Sequence, residues 1–147
     1  MIDLAANLEL LNRLQEFCEK LGRAAKGSLI PSWRGWRTPC NPESWSADEW
    51  DQYWSRVKIS NDAIIGRCKD KNDKTIYLDP SERDDAVALF EEFQHLIEDL
   101  LAGSMNSSQL QELCSMADGF VEGVEQKRQR IRQEYQRRRG LKAQPHE

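Results

Sequence analysis

Residues that usually do chemistry are scarce in this chain. It holds two histidines and four cysteines in 147 residues. Cys18, Cys40, Cys68 and Cys114 form no C-x-x-C and have no histidine nearby, which argues against a zinc site. With no signal peptide apparent, a secreted disulfide framework is not expected, and the four read as reduced cytosolic thiols that mostly fill the core. G-x-S-x-G, the P-loop and the dinucleotide fingerprint are all missing. No apolar run approaches the ~20 residues needed to cross a bilayer. These absences predict a cytoplasmic protein with no membrane contact, no cofactor, no metal and no enzymatic activity.

Charge is plentiful but uneven. Residues 127–147 carry eight Lys/Arg against two Asp/Glu, a net charge of +6, while residues 1–126 carry 13 against 23, a net charge of −10. The chain thus divides into an acidic body, 1–126, and a basic arm with a frayed tail, 127–147. The body repels nucleic acid and anionic membrane, and the arm attracts anions. Apolar residues make up 39% and charged residues 31% of the chain, which predicts a modest core under long solvated helices rather than disorder.

Helical periodicity dominates. Leu4, Leu8, Leu11, Leu14, Cys18 and Leu21 recur at three and four residues, predicting a helix from about Asp3, its N-cap, to Ala25, ended by Gly27 and Pro31. Residues 26–45 are rich in Pro, Gly, Ser and Asn and read as a loop, longer than a compact domain usually leaves idle. Ser46 and Glu49 form a capping box that opens a helix to about Lys58. Ala63–Cys68 and Thr75–Leu78, flanking a polar run at Lys69–Lys74, predict a small β-hairpin. A continuing helix is the competing reading, because Ile64 and Cys68 extend the helical stripe. Asp79, Pro80 and Glu82 start a third helix that runs to about Ala102, with Gly103 after it.

The last helix opens at Ser107 and reads to about Arg139. Leu110, Cys114, Ala117, Val121, Val124, Arg128, Ile131, Tyr135 and Arg138 keep four–three steps, a heptad-like seam. Gly119 and Gly123 interrupt it and predict a kink or a close helix crossing. The expected fold is therefore mainly α: a four-helix domain with a small inserted β-hairpin and a projecting C-terminal basic helix.

All five tryptophans lie between Trp33 and Trp54. Trp50 and Trp54, one turn apart on a capped helix, read as core, and Trp45 joins them. Trp33 and Trp36 alternate with Arg34 and Arg37 in a segment with no periodicity to bury them. Trp and Arg are the residue types enriched at binding hot spots, so these four are candidate anchors. The competing reading is a loop folded back to cap the core with its own indoles.

Lys127, Arg128, Arg130, Arg132, Arg137, Arg138 and Arg139 are the second candidate set. They suit electrostatic attachment to a protein or to phosphates, or they complement the negative end of their own helix dipole. Glu92 and His95 have the Glu-x-x-His spacing of helical di-metal centres, but a second such motif is missing and His95 falls opposite the apolar stripe. A metal-dependent hydrolase, with Asp118, Glu122 and Glu125 joining an acidic cluster, is the least favoured reading.

The expected function is a non-enzymatic intracellular interaction subunit or adaptor that binds a protein partner through the Trp/Arg loop and the basic helix. A nucleic-acid-binding subunit using the same helix is the alternative. Self-association along the heptad seam is also allowed.

Overall fold

A computed structural model of the chain describes residues 3–26 and 36–143, the last three by backbone alone. Four α-helices span most of it: α1 (Leu4–Ala25), α2 (Ala47–Lys69), α3 (Pro80–Leu101) and α4 (Ser107–Ala143), with a single 3-10 turn at Pro42–Ser44. Each start is set by a local cap. The Asp3 carboxylate accepts from the Ala6 amide at 3.0 Å. Ser46 with Glu49, and Asp79 with Glu82, make reciprocal capping boxes. Asn106 accepts from the Ser108 amide at 2.8 Å to open α4. At the end of α3, Gly103 at φ +77° lets Ser104 N–H reach the Asp99 carbonyl at 2.8 Å, a left-handed stop that a side chain would strain.

The expected β-hairpin is not formed, and the described residues contain no strand. Its first half belongs to α2, which runs to Lys69 rather than Lys58 because Val57, Asn61, Ile64, Ile65 and Cys68 continue one buried helical stripe. The second half lies in an irregular loop, 70–79, in which Ile76 and Leu78 are buried and Tyr77 is exposed. Its carbonyls are satisfied by the side chain of Arg83 instead of a partner strand.

Pairwise contacts fix the topology. Asn7 meets Trp54 and Cys18 neighbours Cys68, so α1 and α2 run parallel. Asn61 donates to the Phe90 carbonyl at 3.1 Å and Lys58 faces Glu98, so α3 runs antiparallel to α2. Arg13 and Phe17 meet Cys114 and Ala117, and Lys20 pairs with Asp118 at 3.4 Å, so α4 runs parallel to α1. This is an up–up–down–up bundle. Two successive helices that run parallel need a crossover as long as a helix, here roughly 33 Å for a helix of α1's length. That need accounts for the length of the segment between Lys26 and Ser46.

The core runs the full length of the bundle. Phe17 packs between Phe90 and Phe93 with ring centroids 4.9 and 5.5 Å away. At the end where α2 begins, Trp45, Trp50 and Tyr53 meet in tilted and edge-on pairs at 5.1 to 6.0 Å. Trp54 is fully buried, and its indole N–H donates to Asn7 Oδ1 at 2.6 Å. α4 passes through Gly119 and Gly123 without a break, and a Cβ at either would meet nothing within 4 Å. The kink or close crossing expected there is not formed among the described residues. At 37 residues α4 is far longer than its neighbours, and its residues beyond Ile131 extend roughly 20 Å.

Candidate interaction surface

At the end of the bundle where α2 stops and α3 begins, Arg83 organises the connection. It sits in the first turn of α3 and is 8% exposed. Its guanidinium donates to six main-chain carbonyls: Arg67, Cys68 and Asp70 at 3.3, 3.4 and 2.9 Å, Asp73 and Ile76 at 2.6 and 2.9 Å, and Leu78 at 3.3 Å. The carbonyls of Arg67 and Cys68 belong to the last turn of α2, where acceptors lack helical partners and the dipole is negative. A planar fork of five N–H donors suits this task, and a lysine ammonium does not.

The loop is braced a second time on its outer side. Asp73 accepts from the Thr75 amide and hydroxyl at 2.8 and 2.5 Å and pairs with Arg67 at 3.3 Å. The Thr75 bonds, chiefly, hold the Asp73 carboxyl below its usual range. On the neighbouring side Lys127 of α4 bonds Asp79, the cap of α3, and stands 3.8 Å from Glu82. The Lys127 bond is the main reason the Asp79 carboxyl is lowered, and Asp79 in turn raises the Lys127 ammonium. One ion pair thus fastens α4 to the start of α3.

Between these braces lies a cleft of about 690 Å³, within the size range of ligand pockets. Ile76, Tyr77, Leu78 and Ile131 supply apolar lining, and Lys71, Lys74, Lys127 and Arg128 stand around it. Tyr77 is 54% exposed, Ile131 58%, and Tyr135, one turn further along α4, 62%. Arg128 separates this cleft from a second one of about 630 Å³ between α1 and α4. Its Nε is buried and has no hydrogen-bond partner among the described residues.

The two expected residue sets fare differently. Trp33 and Arg34 lie outside the described residues, as do Gly27 and Pro31. Trp36 is 3% exposed and belongs to the core, as the competing reading of that loop had it, with its carbonyl accepting from Gln15. Arg37 is exposed, and its carbonyl accepts from the Tyr53 hydroxyl at 2.9 Å. Of the basic set, Lys127 and Arg128 join the cleft, whereas Arg130, Arg132 and Arg139 are exposed and make no ion pair among the described residues. Arg137 and Arg138 both hold Glu134, at 2.6 and 3.1 Å. Tyr77, Lys71, Lys74 and Arg83 had no signal in the sequence, because only the fold of the loop brings them to α4.

The other candidates offer little chemistry. His95 is 68% exposed beside Glu98, and no group of three or more His, Cys, Asp or Glu among the described residues is placed to hold a metal ion. Cys18, Cys68 and Cys114 are buried, and burial pushes the Cys68 thiol up to about 11 and the Cys18 thiol well above its ordinary range, so both stay protonated and unreactive. No helix among the described residues is long and apolar enough to cross a membrane. No protein-family model, no curated protein and no solved structure matches the chain.

Proposed function

We propose that this is a non-enzymatic, cytoplasmic interaction subunit that attaches to a protein partner through the projecting half of α4. The observation that carries the reading is the exposed Ile131–Tyr135 ridge on a helix that outruns its own bundle. Beyond Ile131, which borders the 70–79 loop, the exposed face of this helix packs on none of the described residues, and such a face is suited to packing on another chain. Trp36 is in the core and Arg37 stands on the body, so the reading rests on α4 rather than on the Trp/Arg segment.

The test is affinity capture from an extract of the source cells, on the full chain and on a full-chain variant with Arg130→Glu and Arg132→Glu, each with and without nuclease. The expected result is a set of proteins held by the native chain, lost from the variant and indifferent to nuclease. The same set on both chains would sink the reading.

Arg128, Arg130, Arg132 and Arg139, which make no ion pair among the described residues, favour a second reading, phosphate binding by the same helix in a nucleic-acid complex. Capture that disappears with nuclease, together with affinity for an oligonucleotide that falls steeply with salt, would establish it in place of the first.

A further inference from the structure

Resting on the protein-partner reading above, we infer that the cleft between the 70–79 loop and α4 seats an acidic amphipathic helix of the partner. One apolar side chain of that helix enters beside Tyr77, Leu78 and Ile131, and its carboxylates meet the cations at the rim. The apolar half of the argument is geometric. Ile131 lines the cleft and Tyr135 stands one turn beyond it on α4, while Tyr77 faces the cleft from the loop, all three more than half exposed. A ridge at that spacing packs into the groove of another helix, which contributes anchors at i, i+3 or i+4, and i+7.

Charge settles the rest. Lys71, Lys74 and Arg128 line the cleft and Arg132 follows one turn on, and none of them makes an ion pair among the described residues. The carboxylates around the cleft are mostly taken: Asp73 by Arg67, and Asp79 and Glu82 by Lys127, leaving Asp84. At 3.6 residues per turn Ile131 and Tyr135 are about 40° apart on α4, with Arg128 and Arg132 on one flank and Lys127 and Arg138 on the other. A helix laid on this ridge meets cations on both sides. Lys127 and Arg138 already hold carboxylates of the chain, Asp79 and Glu134, so a neutral or basic segment would leave Arg128 and Arg132 uncompensated, and a polyanion without apolar side chains would leave Tyr77, Ile131 and Tyr135 in water.

The α3 face of a second copy fits less well. It presents Asp84, Asp85, Glu91 and Glu92 around Ala88, with no large apolar side chain to enter the cleft, and the copy's own arm is basic.

The experiment is a selection of phage-displayed helical peptides, randomised at every position, on the immobilised full chain. The expected winners combine Asp or Glu with Leu, Ile, Phe or Trp at i, i+3 or i+4, and i+7. Their affinity should fall about tenfold or more with Ile131→Asp and with Lys71→Glu plus Lys74→Glu, all exposed positions whose variants keep the native melting temperature. Chemical shifts of Tyr77 and Ile131 should move on binding.

No enrichment, or winners without acidic residues, overturns the inference. So does a single-stranded RNA oligonucleotide that competes equally well, which would seat nucleic acid there instead. A dimer in sedimentation that Ile131→Asp dissociates would assign the cleft to a second copy. Contacts from residues 27–35 to Tyr77 in the free chain would assign it to the protein's own segment. If the selection fails while reversal at Arg130 and Arg132 still abolishes capture, the cleft is wrong and the reading of α4 survives. Loss of both results removes that reading as well.

Discussion

Arg83 stands in the first turn of α3 and yet serves another helix, taking up carbonyls at the end of α2 and along the loop that follows. Removing it strands several buried acceptors at once, each costing about 1–3 kcal/mol when left unpaired. Arg83→Lys keeps the charge and loses the fork. The variant should be destabilised by about 3 kcal/mol or more in urea melts, and a loss under 1 kcal/mol would show that the loop is held by other means. Tyr53 is a second residue whose burial has a measurable signature. Burial raises its hydroxyl from 10 to about 12. The fold therefore favours the neutral phenol. Its contribution is complete below about pH 10, the unfolded value, and is lost as pH rises through about 12. Cys68 and Lys127 also titrate in the alkaline range, so the difference between the native chain and Tyr53→Phe isolates the phenol. Tyr53→Phe should cost about 1 kcal/mol at neutral pH and show a shallower loss of stability above pH 10. Parallel curves for the two proteins would refute the assignment.

Helix starts, and the stop at Gly103, were legible in the sequence, because caps act within four residues. Ser46 with Glu49, Asp79 with Glu82, and Gly103 stand where those signals put them. The hairpin was misread for a matching reason. Ile64 and Ile65 suit a strand by type, but their burial follows the 3.6-residue period of α2, and Ile76 and Leu78 are held by a cation that lies beyond them in the chain. Non-local capping of that kind leaves no periodic trace. Gly119 and Gly123 yield a prediction for α4 itself. Both lie inside a continuous helix with open space where a Cβ would be. Glycine costs a helix interior about 0.5–1 kcal/mol relative to alanine. Gly119→Ala and Gly123→Ala should each stabilise the free protein by about that amount in thermal melts. A destabilising result would reveal a close approach that the described residues do not show.

On the scale of the whole molecule, the split between acidic body and basic arm was plain from composition, as was the apolar pair Ile131 and Tyr135 set among the arm's arginines. Hidden from the sequence was the meeting of the arm's base with the 70–79 loop, since 50 or so residues and the α3 reversal separate Tyr77 from Ile131. The parallel pairing of α1 and α2 was hidden too, and with it the reason for a long connection between them. Only helix contacts distant in sequence specify that arrangement, and such contacts close late in folding because their loops cost entropy first.

The unbroken course of α4 has a mechanical consequence. Val121 and Val124 are buried in the core, while Ile131 and Tyr135 are exposed on the same unbroken helix. Whatever grips the free portion inherits a fixed bearing relative to the body. A torque applied at Tyr135 passes straight to the packed layer at Val121, with no joint between them to absorb it.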